Sequence, residues 1–182
     1  AVTKQMDKLE THSKRFIELS PFMVLATSRP DGLADASPKG DHPGFVQVLD
    51  DHRVAIPDRP GNNRLDTMEN LLVNPAVGLI FFIPGVNETL RINGTAEIRD
   101  DADLLARFEV NAKLPKTVYV VTAHEVYLHC AKALMRSKLW APDAQAAERP
   151  IPSIAEMMRD QAGDSVELES QADMEARYKK IL

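Results

Sequence analysis

IPDRPGNNRLDT, residues 56–67, runs from an apolar strand end through a basic, Asn-rich turn into a helix. The stretch decides the fold because it sets one helix inside a chain that reads as β on both sides. Upstream, FMVLATS (22–28) is apolar and β-prone, RPDG (29–32) is a turn, and residues 33–37 alternate as a second strand. FVQVLD (45–50), the polar DDH turn and RVAIP (53–57) read as another hairpin, so four short strands precede the basic turn. Downstream, Leu65, Met68 and Leu72 share one helical face, and Asn74-Pro75 stops that helix. VGLIFFI (77–83) suits a buried strand, PGVN (84–87) turns the chain, and TLRINGTAEI (89–98) alternates apolar with polar. DDADLLARFEV (100–110) reads as a short helix with an acidic first turn, and KTVYVVTAHEVYLHC (116–130) as a strand pair or one bent strand.

The two ends differ from this β-rich middle. Residues 2–19 are strongly charged, with Met6, Leu9, Phe16 and Ile17 near one face, which predicts an amphipathic helix ending before Ser20-Pro21. After Trp140, APDAQAAERPIP resembles a linker, and helical segments follow over 153–161 and 170–182. Ile154, Met157 and Met158, and later Met174, Tyr178 and Ile181, form faces that need covering, by the barrel or by a second subunit. The expected organisation is an N-terminal helix (1–20) packed on a barrel domain (21–142), with a C-terminal helical extension (143–182). A six- or seven-stranded antiparallel sheet with one inserted helix is expected to close as a barrel, because closure removes its exposed edges.

Composition narrows the function classes. At 182 residues and 44% hydrophobic content, one substantial core is expected. A net charge of −5 argues against a broad electrostatic grip on nucleic acid. Cys130 is the one cysteine, so no intramolecular disulfide can form. No apolar run approaches the roughly 20 residues of a spanning helix, and residues 1–20 lack a secretory h-region. The chain therefore reads as soluble and cytoplasmic, with no membrane partner.

The basic turn has the makings of an anion site. The first N–H groups of a helix lack intrahelical partners, and the macrodipole adds positive charge there. Arg59 and Arg64 flank the turn, Gly61 permits close backbone approach, and Asn62 and Asn63 can cap the helix or donate amide N–H groups. An ordinary capped turn with exposed arginines fits the same residues. ASPKG (36–40) adds a hydroxyl and the Lys39 ammonium near a strand end, where a solvated turn lysine is the plainer reading. HCAKALMRSKLW (129–140) gathers Lys132, Arg136 and Lys138 near Trp140, as a phosphate or ring site or as an amphipathic turn. The five histidines show no ligand spacing, so no metal site is expected. Neighbours His129 and Cys130 point to opposite faces of a strand, which argues against a nucleophile–base pair. No GxSxG, P-loop or GxGxxG pattern occurs.

Taken in order, ASPKG, IPDRPGNNRLDT, NPAVGLIFFIPGVNETLRINGTAEI and HCAKALMRSKLW resemble the pyridoxamine 5'-phosphate oxidase-like FMN-binding split-barrel family, over roughly residues 15–142. The resemblance is to its bacterial members of unassigned substrate. It implies a mainly β fold with peripheral helices, a six-stranded antiparallel split β-barrel, and a homodimer with FMN sites at the interface. Carried over by position, Ser37, Pro38, Lys39 and Gly40 become contacts of the flavin ring or ribityl chain, with Ile56 and Pro57 at the next strand's flavin-side end. Asn63 and Arg64 resemble the phosphate-holding pair, helped by Arg59 and Asn62. Thr89 and Leu90 come from the strand after the PG turn, and Lys132, Arg136, Ser137 and Trp140 close the site from the partner subunit.

The function implied is an FMN-dependent oxidoreductase acting on an unknown small molecule, with no side chain assigned as catalytic because the flavin carries the chemistry. A non-enzymatic FMN-binding or sensing module, or a barrel that binds F420 or haem, is the alternative. Two departures argue against oxidation of pyridoxamine phosphate itself. The chain ends EARYKKIL with no histidine after His129, and it lacks the arginine that the B6 oxidase places before the position of Lys39.

Overall fold

In a computed structural model of the chain, residues 5–61, 64–163 and 169–180 are described. Two compact units divide at the Ala141–Pro142 bond. The first contains α1 (Thr11–Leu19), β1 (Phe22–Ser28), β2 (Ala34–Gly40), β3 (Gln47–Val48), β4 (Arg53–Pro57), α2 (Asp66–Val73), β5 (Ala76–Phe82), β6 (Thr89–Arg99), α3 (Ala102–Ala106), β7 (Val118–His129) and α4 (Lys132–Ser137). Its strands form one antiparallel sheet in the order β2-β1-β5-β6-β7-β4-β3.

Strand alternation builds the core. In register across the sheet, Leu25 faces Leu79, Leu79 faces Ile92, and Ile92 faces Val126; farther along, Val121 faces Val54 and Tyr119 faces Ile56. All of these side chains are buried on one face, with Leu9, Ile17 of α1 and Leu71 of α2 packed over them. Each fully buried Leu, Ile or Val contributes roughly 1.5–3 kcal/mol. On the opposite face, Phe108 just after α3 packs with Ala55, Val118 and Val120, joined by Leu104 and Leu105.

The expectation of a closed six-stranded barrel is not met. Among the described residues there are seven strands, and no backbone ladder joins the edge strands β2 and β3. The reason is local: β3 has only two residues, and Pro38 deprives the β2 edge of an N–H. The sheet nevertheless rolls up. Lys39 on β2 reaches Asp58, just after β4, and stands over the Tyr119 ring of β7, so side chains span the gap that backbone hydrogen bonds do not.

Other boundaries shift for identifiable reasons. The helix expected over residues 2–19 begins at Thr11, because the Glu10 carboxylate accepts from the N–H groups of His12 and Ser13. Before it, Met6 pairs with Val126 as a β-bridge. Residues 118–129 form one strand whose register against β6 shifts at Asn93/Gly94. The bulge leaves His124 as the extra residue between Ala123 and Glu125, and this reverses the alternation. Val126 and Val121 therefore both face inward although five positions separate them, and Tyr119 follows Val121 onto the inner face. Gly94 makes the close approach possible, since a Cβ there would lie 1.9 Å from the Thr122 carbonyl oxygen.

The second unit holds a short 3-10 turn (Pro142–Ala144), α5 (Ile154–Ala162) and α6 (Gln171–Lys179). A reciprocal Ser153–Glu156 capping box starts α5, and the Ser170 hydroxyl accepts from Asp173 N–H at the start of α6. Ile154 and Met158, read as parts of a face to be covered, are about half exposed.

Candidate functional site

β2 is an unusual strand to find lining an apolar core. Its inward positions are Asp35, Ser37 and Lys39, all half-buried, whereas Ala36, Pro38 and Gly40 are exposed on the other face. These polar groups meet the ends of two other elements. Ser37 Oγ lies 3.3 Å from Thr67 Oγ1 in the first turn of α2, and Lys39 Nζ donates to Asp58 Oδ1 at 3.4 Å. The same Asp58 oxygen accepts from the Tyr119 hydroxyl at 3.0 Å. Lys39 Nζ stands 5.4 Å from the Tyr119 ring centroid, within cation–π range. Burial, then the Asp58 charge, pushes the Tyr119 phenol well above its ordinary pKa, so it stays a protonated donor. Nearby, Asp35 Oδ2 is buried with no hydrogen-bond partner among the described residues, and buried Asn70 donates to Thr27 Oγ1 at 2.8 Å.

The arginines of the basic turn have separate fates. Arg59 Nε donates to Asp41 Oδ2 at 2.8 Å and its Nη1 to the Phe108 carbonyl at 2.7 Å, with both side chains of the ion pair mostly buried. It is a staple between the end of β2, the turn after β4 and the segment after α3. Arg64 is exposed and donates to Asp66 at 2.6 Å. The helix begins later than the Asn pair suggested: its N-cap is Leu65, whose apolar side chain makes no capping hydrogen bond. Asn62 and Asn63 lie outside the described residues. Asp66 and Glu69 occupy the first turn of α2 and offset part of the positive end of its dipole.

The remaining expected residues are spread more widely. Ile56 is fully buried on the inner face opposite Tyr119, and Pro57 is buried facing the other way. Leu90 is in the core, while Thr89 pairs with His129 on the outer face. Lys132, Arg136 and Ser137 are exposed on α4, and Trp140 donates its indole N–H to the Val86 carbonyl at 2.8 Å. Among the described residues no hydrogen bond or ion pair joins Lys132 or Arg136 to the Ser37–Lys39 face. The fold thus gathers Ser37 and Lys39 with three residues that motif reading passed over: Asp58, Thr67 and Tyr119. Asp58 and Thr67 lie within the decisive turn, and the i, i+2 spacing of Ser37 and Lys39 already placed them on one face. Tyr119 carried no signal of its own.

Chemically, the mouth between β2 and the end of β4 offers an ammonium, two hydroxyls and a carboxylate, with the Tyr119 phenol buried behind them and committed to Asp58. The start of α2 and the exposed Arg64 guanidinium lie close to Thr67 in sequence. This donor set suits a ligand with a polar planar part and an anionic tail.

A family model described as pyridoxamine 5'-phosphate oxidase matches residues 9–130. No curated protein matches the chain. Among solved structures, the chain is similar to HupZ of Group A Streptococcus at 18% identity, with 65% of this chain and 91% of that one covered and a TM-score of 0.53. It is also similar to a candidate pyridoxamine 5'-phosphate oxidase of Lactobacillus delbrueckii at 22% identity, covering 68% of this chain and 98% of that one, with a TM-score of 0.54. Likenesses at these identities speak to the fold alone.

Proposed function

The chain belongs to the pyridoxamine 5'-phosphate oxidase family, and we propose from that premise that it is an FMN-dependent oxidoreductase of the cytoplasm acting on a small molecule. The observation that carries this reading is the convergence of Ser37, Lys39 and Thr67 on one mouth beside the start of α2. The FMN phosphate sits at that helix start, held by backbone N–H groups and Arg64, with Asn62 and Asn63 close in sequence. Ser37 and Lys39 would hold the ring and ribityl chain from the inner face of β2, with Ile56 buried behind them on the same face, while Pro38, Gly40 and Pro57 face the other way and would serve only through their backbone. When bound, the flavin supplies hydride or electron transfer. Lys39 provides a fixed positive charge beside the ring, where negative charge collects on reduction. Arg59, committed to Asp41 and Phe108, shapes the turn and leaves phosphate binding to its neighbours.

The outer sheet face supports a homodimer. Phe22 and Phe82 stand opposite each other in register with ring centroids 5.9 Å apart, and Phe22 is 40% exposed. Val24 and Ile80 continue that apolar row only half-buried. A second copy covering the row carries its own α4 cations, Lys132 and Arg136, with Ser137 and Trp140, and these close the FMN site from the partner. Thr89 is on the same outer face but buried within its own subunit, away from the Ser37–Lys39 mouth.

Purification followed by reconstitution tests the reading. The expected outcome is a yellow protein that releases FMN by mass, sediments as a dimer, and is bleached by NAD(P)H and reoxidised by an added acceptor. Failure to take up FMN overturns the proposal. Uptake without reduction by any donor leaves a flavin-binding module in place of an enzyme.

A further inference from the structure

Two donors converge on one oxygen of Asp58. Tyr119 OH approaches Oδ1 at 3.0 Å and Lys39 Nζ at 3.4 Å, while the ammonium also rests over the Tyr119 ring. Tyr119 is 1% exposed and wedged in register between Ile56 and Ile98, so its hydroxyl is a fixed point from which Asp58 is aimed. Lys39 is different in kind. It sits on an edge strand with a long flexible stem, and its side chain is still one-fifth exposed. An unrestrained lysine there would sample many rotamers and meet a ligand only at the cost of ordering them.

We propose that Asp58 is a positioning residue: braced by Tyr119, it holds the Lys39 ammonium at the mouth between β2 and β4, already aimed at an incoming flavin ring. The role rests on the flavin reading above for its ligand, and on the geometry of the free protein for its mechanism. Holding Lys39 in advance spares the ordering of its rotamers when the ligand enters. It also places the charge beside the ring without reorganisation during electron transfer.

Asp58→Asn and Asp58→Ala test position apart from charge. Both remove the negative charge, but the asparagine keeps a side-chain oxygen that accepts from Lys39 and Tyr119, and the alanine does not. In the flavin-free protein, NMR relaxation of the Lys39 side chain is expected to show restricted motion in wild type and Asp58→Asn. Motion is expected to rise in Asp58→Ala, and partly in Tyr119→Phe, which probes the same brace should the alanine variant not fold. In the FMN-loaded protein, Asp58→Ala is expected to bind reduced relative to oxidised FMN about tenfold more weakly than Asp58→Asn does. That ratio corresponds to a potential about 30 mV lower for a two-electron couple. In a Lys39→Gln background the two Asp58 variants should agree within about twofold, because the effect passes through Lys39.

Unchanged Lys39 motion in both Asp58→Ala and Tyr119→Phe overturns the proposal. So does an alanine–asparagine gap that survives at full size without Lys39, or the absence of any gap in the FMN-loaded protein. A protein that takes up no FMN overturns the flavin reading instead, and the flavin-free relaxation data then decide whether Asp58 holds Lys39.

Discussion

Replacing Gly94 by alanine is expected to break the hinge that turns Tyr119 toward the site. The added Cβ would lie 1.9 Å from the Thr122 carbonyl oxygen, 2.9 Å from its carbon and 3.2 Å from Ala123 Cα. All three atoms are backbone, so no rotamer change relieves the clash. Restoring an ordinary 3.4 Å contact requires a movement of about 1.5 Å between β6 and β7. A ladder bond of about 2.9 Å does not survive such a stretch. Losing two such bonds costs about 2 kcal/mol, and the overpacking itself about 1–3 kcal/mol. The total, roughly 3–5 kcal/mol, is a large share of the 5–15 kcal/mol typical of a folded domain. Urea unfolding reads it as a lower midpoint at unchanged slope. Gly78→Ala is the control: on β5, its Cβ would meet Asn93 Oδ1 at 3.5 Å and Ala26 Cβ at 3.9 Å, both ordinary contacts. A Gly94→Ala loss below about 1 kcal/mol, or one no larger than that of Gly78→Ala, would refute the reasoning, since overpacking of a rigid site normally costs more.

Three further outcomes are expected. Asn111 and Ala112 both adopt positive φ in a turn closed by reciprocal Val110–Lys113 hydrogen bonds, so Ala112→Gly should stabilise the protein by about 0.5–1 kcal/mol in thermal or urea melts; a loss of stability would contradict the strain argument. Arg64→Ala should weaken FMN binding at least about tenfold by titration calorimetry, as expected when a charged hydrogen bond to the phosphate is lost, with the unfolding midpoint unchanged because the side chain is exposed; equal affinity removes it from the phosphate site. The Glu10 carboxylate is partly desolvated, which raises its pKa, but the N–H groups of His12 and Ser13 and the Ser13 hydroxyl outweigh this and hold it below its ordinary value. Its contribution is therefore full above the unfolded-state pKa and is lost as pH falls through the lower folded-state value; Glu10→Gln should flatten that acidic loss in pH-dependent unfolding, and a curve parallel to wild type would count against the cap.

Much of the architecture could be read from local pattern. FMVLATS and VGLIFFI announce β1 and β5, Asn74-Pro75 marks the end of α2, and the RPDG turn joins β1 to β2 with Gly32 at positive φ. Where reading failed, a non-local contact or a competing cap had intervened. The amphipathic pattern of residues 2–19 continued past the true helix start, but Met6 found Val126 and Glu10 capped the chain at Thr11. The strand expected over 45–50 shrank to Gln47–Val48, which among the described residues pairs with β4 alone. The basic turn was legible as a cluster of charge, yet its two arginines diverged: Arg59 was drawn to Asp41 and the Phe108 carbonyl 49 positions away, and Arg64 stayed at the surface.

Composition and periodicity alone determined a β-rich chain interrupted by one helix, the inward faces of regular strands such as β1 and β5, and the presence of Ser37 and Lys39 on a common face, because alternation and turn chemistry act over a few residues. Only the tertiary structure decided that the sheet stays open at its edges while rolling until β2 meets the end of β4. It also decided that an extra residue at His124 turns Tyr119 inward, and that its hydroxyl shares Asp58, 61 positions away in sequence, with Lys39. The physical reason is that which strands become neighbours, and how far the sheet curls, is set by packing among distant side chains, and local preference carries no record of those partners.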